Sequence, residues 1–222
     1  MKRRNFTLIE MMVVGGCLSL ALLLPALSTA RERSRVASCI SNLKQISWQE
    51  IMYADENDGY RVTPADFSTG EYIGNRIDML GTRSVKDKFY GNYPASKLIL
   101  WGYSLEDNSK ITAENKAVFR CPSDELYNEK STIISYFDVI FTKNKPTAAA
   151  RYNYNEVANP SKVTIWFDQH VNLGTVFTNH QNKVNAVYMD GHVKSITMAA
   201  DKCFNVETQA GDGWNYLDNS DF

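Results

Sequence analysis

The hydrophobic pattern of this chain changes character twice. From Met11 to Ala30 there is no charged residue, and apolar side chains fall on all sides of a helix drawn through them. At ~1.5 Å rise per residue that stretch spans roughly 30 Å, about one bilayer hydrocarbon core. Beyond it the spacing becomes one-sided. Val36, Ile40, Leu43, Ile46, Ile51 and Ala54 recur at the three-and-four interval of a single helix face. Asp58-Gly59 then reads as a C-terminal stop, glycine being free to turn left-handed. The pattern predicts one helix from about residue 6 to about residue 56, ~75 Å long, with a kink at Pro25. Its first half suits lipid. Its second half needs a globular partner on one face.

After Gly59 the pattern breaks into short runs between polar turns. Candidate strands are Lys97–Trp101, Ile133–Val139, Val163–Asp168, Gly174–Phe177, Val184–Met189 and His192–Thr197. Thr147–Ala150 reads as a linker or a brief helical turn. In NAVYMDGHVKSI, Asp190-Gly191 between two alternating runs predicts a two-residue hairpin turn. The expected fold class is α+β: a long N-terminal helix, transmembrane then amphipathic, packed on an antiparallel sheet. The expected division is 1–5 as a leader, 6–30 as the transmembrane helix, 31–56 as its amphipathic continuation and 57–222 as one extracytoplasmic globular domain.

Charge adds little. The 24 Lys and Arg are balanced by 25 Asp and Glu, and no basic stripe marks a nucleic-acid binder. Lys2, Arg3 and Arg4 precede the apolar run, while Arg31, Arg33, Arg35 and Lys44 follow it, so the charges leave the orientation close to a tie. A cleavable secretory signal is a second reading of the N-terminus, with Ser28-Thr29-Ala30 as its exit, although the apolar run is longer than such signals need. The four cysteines, Cys17, Cys39, Cys121 and Cys203, contain no C-x-x-C pair.

Glu10 stands inside the apolar run. A carboxylate there either snorkels to the interface or meets a partner charge. A free amine at Phe6 would be such a partner, and cleavage between Asn5 and Phe6 would create it. Phe6-Thr7-Leu8-Ile9-Glu10 resembles the start of type IV prepilins and type II secretion pseudopilins. The resemblance implies cleavage by a prepilin peptidase before Phe6, N-methylation of Phe6, and docking of Glu10 against a neighbouring subunit's amine. That family has glycine before the cut, where this chain has Asn5.

Further motifs resemble a prepilin-like family marked by H-x9-DG. His180 precedes Asp190-Gly191 at that spacing, Ser38–Gln45 resembles its S-C-x-N-N-L-K-Q helix segment, and Cys121-Pro122-Ser123-Asp124 resembles its C-P-S-D element. Cys39 and Cys121 sit in these segments, which makes them the preferred disulfide, with two buried free thiols as the alternative. Closing that loop of about 80 residues would contribute roughly 4 kcal/mol in the chain-entropy view.

Candidate chemistry is sparse. Asp168-x-His170 and Asp190-x-His192 each place two metal-capable residues on one strand face, and with His180 they could hold a transition metal. The alternative is an ordinary polar hairpin with His180 hydrogen-bonded into its turn. Asp212, Asp218 and Asp221, or Asp55 with Asn57 and Asp58, offer oxygen ligands for calcium, against which stand a solvated tail and a helix cap. Cys121 with a histidine is formally a nucleophile and base, though no spacing argues for it. The sequence therefore predicts no enzyme, no cofactor and no metal. It predicts a pilin-like subunit in the cytoplasmic membrane, single-pass with its globular part outside, partnered by a prepilin peptidase, by copies of itself and by other pilin-like subunits. The alternative is an uncleaved single-span membrane-anchored binding module.

Overall fold

A computed structural model of the chain describes residues 7–63, 71–73, 94–99, 101–103, 108–124, 134–141, 151–168, 170–172, 175–177, 179–180, 183–197 and 217–218. The leader, Asn5, Phe6, Thr147–Ala150, Cys203, Asp212 and Asp221 lie outside the described residues.

The predicted helix is one element, α1, Leu8–Glu56, 49 residues long and running through Pro25. Every described residue from Thr7 to Arg31 is exposed. This one helix is long and apolar enough to cross a membrane. Burial begins at Cys39 and continues at Leu43, Ile46, Ser47, Glu50 and Ala54. That is one stripe at helical spacing, and it defines the face that packs. The expected stop is present: the Gly59 N–H donates to Ala54 O at 2.8 Å, with Gly59 at φ +80°. A Cβ there would lie 2.3 Å from the Asn155 side chain, so only glycine closes this turn.

The sheet is antiparallel throughout. Strands β1 (Glu71–Ile73), β2 (Tyr136–Phe141), β3 (Thr164–Asp168), β6 (Lys183–Tyr188) and β7 (Val193–Thr197) lie side by side in the order β1-β2-β3-β6-β7. Strands β4 (His170–Asn172) and β5 (Thr175–Phe177) form a separate two-stranded ribbon. The packing half of α1 lies across β3, β6 and β7. A register shift between Thr164 and Trp166 breaks the alternation of β3, and Ile165 and Trp166 both enter the core beneath α1. Cys39, Leu43, Ile46, Phe119, Tyr136, Val187 and Met189 complete this layer. Phe137 and Phe167, directly paired across β2 and β3, stack at 5.5 Å between centroids.

Two expectations are corrected. Lys97–Trp101 does not form a strand. Its first residues belong to a short helix, α2, Pro94–Ile99. Pro94 suits a first helical turn, and Ala95 and Leu98, three apart, are the side chains that bury. A short apolar run cannot by itself separate these states. The hairpin at Asp190-Gly191 is not a two-residue turn either. Tyr188 N–H donates to His192 O at 3.0 Å and Gly191 N–H to Tyr188 O at 2.9 Å, which leaves Met189, Asp190 and Gly191 as the loop. Gly191 at φ +87° supplies the left-handed residue that three-residue loops use.

A buried ion network fixes α1 to the sheet. The Arg61 guanidinium, fully buried, uses all five of its N–H groups. Nε and Nη2 donate to the two Glu50 oxygens at 2.9 Å, Nη2 to Asp138 Oδ1 at 2.6 Å, and Nη1 to the Val139 and Arg151 carbonyls at 2.8 and 2.9 Å. Two carboxylates share one cation. Burial pushes Asp138 up to about 8, overcoming the opposing pull of Arg61, and Glu50 adds to the rise.

Candidate metal centre

The sequence motifs meet at one point beneath α1. Cys39 comes from the first buried turn of α1. Cys121 opens a turn that follows the short helix α3 (Ala113–Ala117), in which Asp124 N–H donates to Cys121 O at 3.0 Å and Pro122 presets the second position. Asp168 ends β3. His180 stands ahead of β6, its carbonyl accepting the Lys183 N–H at 2.5 Å. All four side chains are buried, and their ligand-capable atoms lie within 4.8 Å of one another.

The contacts are specific. Cys39 Sγ donates to Asp168 Oδ2 at 3.0 Å and lies 3.3 Å from the Tyr136 hydroxyl. His180 Nε2 lies 3.3 Å from Cys121 Sγ and 3.4 Å from Asp168 Oδ2. On its other side His180 Nδ1 lies 2.7 Å from Glu32 Oε1. Asp168 Oδ1 accepts the Asn185 N–H at 2.5 Å, and Oδ2 accepts from Asn185 Nδ2 at 2.6 Å. Around this centre Asn42 Nδ2 donates to Arg120 O at 2.8 Å, and Ser123 Oγ donates to Glu32 at 3.3 Å. The helix motif, the C-P-S-D turn and the histidine of H-x9-DG thus share one hydrogen-bonded cluster.

The electrostatics follow from this crowding. Burial opposes a charge on His180, but hydrogen bonds to Asp168 and Cys121 outweigh it and hold the imidazole up at about 11. Cys39 is driven well above the ordinary thiol range, first by burial and then by Cys121 and Asp168. The hydrogen bond with Cys39 draws Cys121 down to about 7 against the effect of burial, with His180 assisting.

The sequence expectations divide accordingly. The sulfurs of Cys39 and Cys121 lie within 4.8 Å of each other, both as buried free thiols. The metal-capable set read from Asp168, His170, His180, Asp190 and His192 splits in two. Asp168 and His180 join the cysteines. Asp190 and His192 pair with each other at 2.6 Å, a third exposed, and His192 stacks on Tyr188 at 4.4 Å. The His170 side chain lies outside the described residues. Of the calcium candidates, Asp218 is taken by the buried Arg151 guanidinium and by the Thr164 N–H at 2.8 Å. Asn57 caps α1, its Nδ2 donating to Tyr53 O at 2.7 Å, while Asp55 stays exposed. Cys121 does reach an imidazole that is backed by a carboxylate, yet it is wholly buried, and the groove beside His180 is lined by Glu32, Val36 and Lys183 rather than by the thiol. Asp190 is exposed and accepts the His192 N–H at 3.1 Å, while Gly191 acts by packing. A Cβ on Gly191 would lie 3.3 Å from Ile51 and 3.4 Å from Ser47, so the loop rests directly on α1.

Glu10 also closes a local motif with Thr7. Glu10 Oε2 accepts from Thr7 N–H at 2.7 Å and from Thr7 Oγ1 at 3.0 Å, and Glu10 N–H donates back to Thr7 Oγ1 at 3.3 Å. This is a capping box, and Thr-x-x-Glu was its visible signal. Comparison with family models, with curated proteins and with solved structures returns no match to this chain.

Proposed function

We propose that this protein is a pilin-like structural subunit, anchored in the cytoplasmic membrane by α1 with its globular part outside, and assembled into a type II secretion pseudopilus or a type IV pilus-like filament. The observation that carries this reading is the division of one continuous helix. Its first half is apolar and exposed on all sides, and its second half is one wall of a sheet-backed core. A rod that is half lipid-facing and half domain-bound suits a subunit that waits in the membrane and then bundles with its neighbours. Exposed Trp48 and Met52, one turn apart on the outer face of the packed half, extend apolar surface beyond the span and favour side-by-side contact.

In this reading the chemistry of the chain is assembly. A prepilin peptidase cuts between Asn5 and Phe6 and methylates Phe6. The cut removes the basic leader, and Glu10 exchanges its contact with Thr7 for the terminal amine of the adjacent subunit. Intact-mass spectrometry of the protein extracted from its native membrane tests the proposal. A chain beginning at Phe6 and carrying one added methyl group supports it. A chain that retains Met1–Asn5 overturns it in favour of an uncleaved anchored binding module, and one beginning after Ala30 overturns it in favour of a secreted domain.

A further inference from the structure

We propose that Cys39, Cys121, Asp168 and His180 bind a single zinc-class divalent ion in a closed, structural site that staples α1 to the sheet. Four observations lead there. The donors are two sulfurs, one imidazole nitrogen and one carboxylate oxygen, a set that suits tetrahedral zinc. A tetrahedron with zinc's usual bond lengths has edges of roughly 3.3–3.8 Å. The separations between donor atoms run from 3.0 Å and none exceeds 4.8 Å, so they bracket those edges.

The orientation of His180 is the second observation. Its Nδ1 is committed to Glu32, which leaves Nε2 directed at Cys121 and Asp168. A carboxylate that fixes one ring nitrogen while the other faces the donors is how metal-binding histidines are held. Third, the outer partners suit an anionic cluster. Two thiolates and a carboxylate around a divalent ion leave one negative charge. The Asn185 N–H and side-chain amide are placed to donate to it, and the Tyr136 hydroxyl, which donates to Arg120 O, lies 3.3 Å from Cys39 Sγ. Fourth, a purely hydrogen-bonded alternative is weak, because thiols are poor donors and poor acceptors, yet two of them converge here at full burial.

Four protein ligands leave no open position, so the site holds structure together and does not activate water. It joins the helix, the C-P-S-D turn, the end of β3 and the segment before β6. The three family-like motifs thereby acquire one shared purpose, independent of whether the leader is cut.

The test uses the full-length protein, extracted in detergent and purified without chelator or reductant. Elemental analysis should find about one zinc per chain, and exchange for Co2+ should give the intense absorption of cobalt–thiolate charge transfer. Cys39→Ser and Cys121→Ser should each cut that absorption by at least half, while His192→Ala should leave it intact. Because the cysteine variants remove buried groups and can fail to fold, the wild-type cobalt spectrum and a count of thiols released on denaturation stand as an independent reading. A wild-type chain that takes up neither ion while both thiols remain free overturns the proposal. So does a Cys39–Cys121 disulfide found by peptide mapping, or metal content unchanged in folded Cys39→Ser and Cys121→Ser.

Discussion

Glu32 Oε1 meets His180 Nδ1 at 2.7 Å across 148 positions of sequence. The contact joins the upper end of the exposed half of α1 to the segment that leads into β6, and Ser123 donates to the same carboxylate. The groove there is lined by Ser28, Thr29 and Val36 of α1 as well, so this tie lies where the helix leaves the domain. Glu32→Ala removes it and should destabilise the folded domain by about 1.5 kcal/mol, the lower end for a hydrogen bond involving a charged group because Glu32 is partly exposed. Glu32→Gln can still accept from Nδ1–H and should lose less. Chemical denaturation of the detergent-solubilised chain, followed by near-ultraviolet circular dichroism, measures both.

Gly191 acts through shape. At φ +87° an alanine costs about 1–2 kcal/mol in backbone strain alone. Gly191→Ala also brings a methyl against Ile51 and Ser47 at 3.3–3.4 Å. The variant should lower the unfolding free energy by that amount or somewhat more, read as a lower denaturation midpoint at unchanged slope. An unchanged midpoint would show that the loop can move away from α1 without cost.

The buried triad of Arg61, Glu50 and Asp138 sets a pH dependence. The folded state holds Asp138 up at about 8, against about 4 in an unfolded chain. Between those values the folded state binds more protons than the unfolded one, so the slope of stability with pH is negative. This contribution is therefore fully present below about pH 4 and is lost as pH rises to about 8. Asp138→Asn keeps an acceptor for Arg61 and should flatten that decline in a pH series of denaturation midpoints. Arg61→Ala strands two carboxylates in the core and should cost about 3–5 kcal/mol.

Thr7 and Glu10 separate two roles that share a residue. Glu10→Gln preserves the acceptor of the capping box and removes the charge. If the charge serves assembly, this variant should insert into the membrane normally and fail to appear in sheared or secreted filament fractions. Thr7→Val removes the cap and keeps the charge, and it should assemble. Equal assembly by both variants would eliminate an ionic role for Glu10.

Elements defined by periodicity were legible, because an apolar stripe or an alternating run states its own geometry. Leu8–Glu56 and Thr164–Asp168 fall close to where the pattern places them. Lys97–Trp101 was misread because KLILW carries no period long enough to separate helix from strand. The centre was legible only in pieces. Sequence neighbours suggested grouping Asp190 with His192 and Asp168 with His170. The cluster instead draws Cys39 and Cys121 from far upstream, and nothing local to Asp168 announces them. The two cysteines were each visible through their motifs. The imidazole and carboxylate that complete the group were visible singly, and their convergence is a product of strand order.

The distances along the chain give the fold an order in time. Arg61 lies only 11 residues after Glu50, so that pair can close as soon as both have left the ribosome. Cys39 must wait for Tyr136 and Asp168, 97 and 129 residues further on, and Glu32 for His180, 148 residues later. The face of α1 that carries Cys39 and Leu43 thus stays bare until those residues are made. During that interval the nascent chain exposes a thiol and an unpaired apolar stripe. Synthesis of the last third of the chain is what ends that exposure.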